Sequence, residues 1–177
     1  LTNLNISNNE IILLPDDLSG LSNLIKIDIS NNNISSIPYS FGDLIELKYI
    51  HAQNNILNDI PEIFDQLQNL IEINFSNNRI IELDPNFFTS QFLTNVNLSN
   101  NNLLRLPTSF CEISIPVSIN VTNNYLYCVL EFENEEYNGE QNIPNNIDSC
   151  ISENNNIDLI GFVNTSFEEN PPQGCDY

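Results

Sequence analysis

Basic residues are scarce in this chain: 4 Lys and Arg against 24 Asp and Glu in 177 residues leave a net charge near −20 at pH 7. Such a surface repels phosphate backbones and anionic lipid headgroups, so no nucleic-acid partner is expected. Tryptophan and methionine are absent, glycine occurs five times, and His51 is the single histidine. With so few glycines there is no phosphate-cradling loop and no GxSxG turn. Paired acids fall on convex or loop surfaces, where nothing raises a carboxylate toward a working pKa. We therefore expect no enzyme, no metal centre and no cofactor. No apolar run approaches the roughly 18 residues of a membrane helix, so no membrane insertion is expected within this chain. Residue 1 opens without the charged and apolar regions of a leader peptide.

What the chain has in abundance is repetition. LSNNNLLRLPTSF (98–110) reads like ISNNNISSIPYSF (29–41) and like ISNNEIILLPDDL at the front, and the period is 23. Counted from Leu1, the fourth column is Leu4, Ile27, Ile50, Ile73, Val96 and Ile119; the sixth is Ile6, Ile29, Ala52, Phe75, Leu98 and Val121. The eighteenth, Leu18, Phe41, Phe64, Phe87 and Phe110, predicts an aromatic row in the core. One 23-residue turn cannot bury its apolar side alone, but stacked turns share a core, so equal positions carry similar residues. The ninth column is Asn9, Asn32, Asn55, Asn78, Asn101 and Asn124 without exception. A buried amide there can serve the backbone donors and acceptors of a sharp inward turn. The fourth turn departs, with Asp84 in place of Pro and Ser90 in place of Leu or Ile, and predicts a local deviation of its convex loop.

The pattern LxxLxLSxNxIxxLPxxLxxLxx resembles that of leucine-rich repeat proteins over about 128 of the 177 residues. The resemblance implies an α/β solenoid: a right-handed superhelix of six 23-residue turns starting at 1, 24, 47, 70, 93 and 116. Each turn would supply one short parallel strand to a concave sheet. Two regions are expected, the repeat array 1–128 and an acidic C-terminal cap 129–177, which holds 11 acids and no base. NNYLYC (123–128) is similar to the start of the cysteine-containing caps of extracellular family members. All four cysteines, Cys111, Cys128, Cys150 and Cys175, lie in or against the cap, which favours two disulfides and an oxidising compartment. The pairing is left open. The stretch ENEEYNGEQN (133–142) reads as a solvated acidic loop, because its fit to a calcium loop fails at Asn145, where a bidentate Glu would stand.

Six NxS/T sequons, at Asn5, Asn33, Asn74, Asn97, Asn120 and Asn164, are candidates for N-glycosylation. Their number is uninformative: 34 asparagines and a Ser plus Thr content of about 12% predict roughly four by chance. Four of them share the fifth column, the centre of the outward strand face. The exception on that face is a mixed patch of Lys26, Asp28, Lys48, Tyr49, His51 and Glu72, whose charge and aromatic variety suits a partner-binding site. These features point to a secreted or cell-surface recognition or adhesion module for a protein or glycan partner. Two other readings are a structural subunit that self-associates in a matrix, wall or filament, and an intracellular scaffold.

Overall fold

The computed structural model of the chain describes residues 1–126 and 157–160. Among these residues seven strands form one parallel sheet in chain order: β1 (Asn3–Asn5), β2 (Lys26–Asp28), β3 (Tyr49–His51), β4 (Glu72–Asn74), β5 (Asn95–Asn97), β6 (Val117–Asn120) and β7 (Ile157–Ile160). Asn3 stands opposite Lys26, and the same row continues through Tyr49, Glu72, Asn95 and Ser118. The 23-residue period of the sequence is thus the physical register of the sheet.

Side chains alternate along a strand, so the central residue of each rung points inward. Ile27, Ile50, Ile73, Val96 and Ile119 are accordingly buried, and the sixth and eleventh columns join them in one continuous core. Among the described residues the return paths on the other side are turns and three short 3-10 helices, Ser19–Leu21, Tyr39–Asp43 and Thr108–Glu112. A solenoid is what the columns required, because each rung covers the apolar face of the next.

The Asn columns shape every inward turn. Asn8, Asn31, Asn54, Asn77, Asn100 and Asn123 all adopt left-handed backbone with φ between 54° and 60°, a conformation Asn tolerates better than most residues. The buried Asn101 then works in two directions. Its Nδ2 donates to the carbonyls of Phe75 (2.9 Å), Leu98 (3.0 Å) and Ser99 (3.4 Å), and its Oδ1 accepts the N–H of Ile80 at 3.0 Å. Asn32, Asn55, Asn78 and Asn124 repeat this bridge to the turn before them.

The aromatic row becomes a cluster. Phe64 and Phe87 meet directly, with ring centroids 4.5 Å apart, but Phe88 carries the contact onward to Phe110 at 5.7 Å. Phe75 enters from the sixth column, 6.5 Å from Phe64 and 6.2 Å from Phe87, next to the rung where Ala52 is small. The departures of the fourth turn have a structural task. Buried Asp84 accepts the N–H groups of Ile63 and Phe64, both at 2.8 Å, through Oδ2, and that of Asn86 at 2.7 Å through Oδ1. The Ser90 hydroxyl lies 2.8 Å from Leu70 O and 3.0 Å from Gln68 O.

Within 129–177, expected to be irregular, residues 157–160 add a seventh rung in parallel with β6, from Val117↔Ile157 to Asn120↔Ile160. Val121 N donates to Ile160 O at 2.9 Å, continuing the ladder. Because this strand comes 40 residues after its partner rather than 23, the column count does not reach it.

Candidate functional site

Two columns of side chains leave the sheet on its outward face. In β1–β6 they read Asn3, Lys26, Tyr49, Glu72, Asn95, Ser118 and Asn5, Asp28, His51, Asn74, Asn97, Asn120. Rung β7 extends them with exposed Asp158 and Ile160. The register brings five members of the mixed patch together. Lys26 is opposite Tyr49, Asp28 opposite His51, and Tyr49 opposite Glu72. Across the diagonal, His51 Nε2 meets Glu72 Oε1 at 2.9 Å, with side-chain exposures of 20% and 36%. Lys48 stands half-buried one residue before β3, and its carbonyl accepts the N–H groups of Ile71 and Glu72. Neither Lys26 nor Lys48 forms an ion pair among the described residues. The uncommitted Lys26 ammonium, a phenol and an imidazole–carboxylate pair therefore share one half-buried surface, with Lys48 next to Tyr49 in the chain.

The second column has a task that the sequon reading missed. Asn97 Oδ1 accepts both the backbone N–H of Ser99, at 3.1 Å, and its hydroxyl, at 2.8 Å. Asn5 holds Ser7, Asn74 holds Ser76 and Asn120 holds Thr122 by the same two bonds, and Asp28 holds Ser30 at 3.1 and 2.6 Å. The cause is backbone geometry: N–H groups of columns six and eight pair with the next rung, but that of column seven points away from the ladder. A side-chain oxygen two residues back satisfies it. Ser30, Ser76 and Ser99 are buried, so their hydroxyls need the same acceptor. NxS/T in this column is the spelling of a clamp, and DIS at 28–30 was the signal that could have revealed it. Asp17 and Ser19 make the clamp elsewhere, and the Ser19 hydroxyl, then its amide, hold the Asp17 carboxyl below its ordinary pKa.

Only the third turn lacks the clamp among the six. His51 and Gln53 stand where Asn or Asp and Ser or Thr stand elsewhere, and Gln53 Oε1 is buried without a hydrogen-bond partner. Released from that duty, the column-five side chain is free to reach Glu72. Of the other candidates, Asn33 is exposed outside the clamp column, and Cys111, in the third 3-10 helix, is disulfide-bonded. Cys128, Cys150, Cys175, Asn164 and the acidic stretch 133–142 lie outside the described residues. Among the described residues no group of three or more His, Cys, Asp or Glu is placed to hold a metal ion, and no helix is long and apolar enough to cross a membrane.

Comparison with known proteins agrees with this architecture. Two models described as leucine rich repeat match the chain, one over residues 1–57 and the other over 69–91 and 92–113, together more than half of it. Among solved structures, a leucine-rich repeat protein of Leptospira interrogans superposes with a TM-score of 0.67 at 26% identity over 73% of this chain. The chain spans 33% of that protein's length. No curated protein matches the sequence significantly.

Proposed function

Because the chain belongs to the leucine-rich repeat family, we propose that it is an extracellular recognition module that holds a protein partner on the concave strands β2–β4. Repeats of this family generally mediate protein binding. The observation that carries the choice of surface is the His51–Glu72 contact set between Asp28, Tyr49 and Lys26, at the one rung of β1–β6 where the clamp is interrupted. Elsewhere column five serves its own backbone; here it serves the surface. Tyr49 supplies the amphipathic anchor typical of interface centres, and Lys26 and Lys48 offer charge to an acidic partner residue. We read binding rather than catalysis, since among the described residues the imidazole is hydrogen-bonded to the Glu72 carboxylate alone and no Ser, Thr or Cys is hydrogen-bonded to it.

The disulfide at Cys111 supports an oxidising compartment and hence an exterior location. An N-glycan is proposed at Asn33, which is exposed and not engaged in the clamp. The test of the site is a photo-crosslinking residue at position 49, compared with one at exposed Ile45 on the return path, followed by identification of the captured protein and measurement of its affinity. Tyr49→Ala with His51→Ala is expected to weaken that affinity at least tenfold while the circular dichroism spectrum stays the same. Capture from position 45 alone, or unchanged affinity in the double variant, rejects β2–β4 as the binding surface.

A further inference from the structure

The β4–β6 part of the same face carries a different chemistry. Asn74, Asn97 and Asn120 stand opposite one another in register, one rung or about 4.8 Å apart. Their orientation is forced: the N–H of Ser76, Ser99 or Thr122 is a donor, so the side-chain atom facing it must be the carbonyl oxygen. A second bond arrives from the hydroxyl of the same residue, and an amide oxygen has two lone pairs. What each asparagine has left is its NH2 group. None of these three groups finds an acceptor among the described residues, whereas in column eight Asn54 donates to Asn31 and Asn123 to Asn100, each at 2.8 Å. The strip is therefore a row of hydrogen-bond donors whose own acceptors are already saturated.

We propose that this strip binds a linear, neutral glycan laid across β4–β6, with the NH2 groups of Asn74, Asn97 and Asn120 donating to its ring and hydroxyl oxygens. A donor row requires an acceptor-rich ligand. The net charge of −20, with Glu72 and Asp158 in the adjoining column, opposes polymers bearing carboxylate or sulfate. An extended peptide presents N–H donors beside like-facing carbonyls about 7 Å apart, and a donor row cannot use those N–H groups, whereas every pyranose unit, close to a rung in length, carries acceptor oxygens on all its edges. Sugar hydroxyls can in turn donate to Asn95 and Ser118 in the adjoining column. This goes beyond the protein-binding reading and stands on other residues.

The decisive variant changes Asn to Asp at 74, 97 and 120. Asp28 holds Ser30 by the same two bonds, so a carboxylate keeps the clamp while it removes the NH2 donor and adds a negative charge at each rung. Calorimetry against neutral hexasaccharides of β-1,4-glucan, β-1,3-glucan and β-1,4-linked N-acetylglucosamine is expected to show binding of at least one. That binding should vary little between low and roughly 1 M salt, since no charges are paired. The triple variant should lose at least tenfold in affinity with the circular dichroism spectrum of the folded protein and a melting point lowered by repulsion between the stacked carboxylates, and Tyr49→Ala with His51→Ala should leave glycan affinity intact. If the triple variant unfolds, the single Asn97→Asp variant, expected to lose two- to tenfold, decides instead. Binding of none of the three sugars overturns the proposal, as does full affinity in the Asp variants. An intact mass showing glycans attached at Asn74, Asn97 and Asn120 also overturns it, because the donors are then consumed.

Discussion

Asn101 and Asn97 are four residues apart and carry the same side chain, yet the two columns they represent obey different rules. At Asn101 the amide must donate to carbonyls of two turns and accept an N–H from the earlier one, all in the core. Only a group that is donor and acceptor at once can do so, and the column is Asn in all six turns. At Asn97 the backbone asks for an acceptor alone. That column accepts Asp28, and in the third turn it even yields to His51. The stricter the hydrogen-bond demand, the narrower the choice of residue, and function can grow only where the demand is loose.

Asn101→Asp is the strongest way to break the comparison. It is isosteric, but it strips the donors from buried carbonyls and places a charge in the core, and we expect a loss of about 4 kcal/mol. In thermal unfolding that is a fall on the order of 10 °C for a chain of this size. The column-eight backbone sets a second scale: Asn77→Val puts a β-branched residue at a φ of 55° and should cost about 1–2 kcal/mol, with Asn77→Gly close to neutral. Both are read from urea midpoints.

The interrupted rung offers a gain instead of a loss. Restoring the clamp with His51→Asn and Gln53→Ser removes the unpartnered Gln53 Oε1 and should add about 1 kcal/mol of stability, while the partner affinity assigned to β2–β4 falls. Unchanged or lower stability would mean that Gln53 is not a defect tolerated for the sake of the surface. The smallest effects come from the clamp itself. Ser99→Ala should cost about 1 kcal/mol, and Asn97→Asp less than about 0.5 kcal/mol, because the first removes a bond and the second preserves both.

Much of the fold was legible because a stacked coil repeats its environment. Six turns give six readings of each position, so the inward columns, the strand positions and the structural Asn identify themselves by recurrence. The mixed patch was legible for the converse reason, as the place where recurrence on the outward face fails. Three features escaped. The clamp was hidden because its spelling coincides with that of a glycosylation sequon, although Asp28 with Ser30 gave the distinction away. Strand β7 lies outside the period. Asp84 could be seen as a departure but not as a cap, since its partners Ile63 and Phe64 stand 21 and 20 residues away on the preceding turn.

By itself the sequence determined the rung spacing, the face each side chain occupies and the family, because period and alternation are properties of the backbone that apolar residues must follow. Tertiary structure alone decided which partners those faces find. That His51 turns to Glu72 and not to Asp28 directly opposite, that Phe88 and not Phe87 reaches Phe110, and that Asp84 reaches back to the preceding turn depend on distances of a few ångströms between turns. Hydrogen bonds and packing change sign over such distances, and a linear pattern carries no information at that scale.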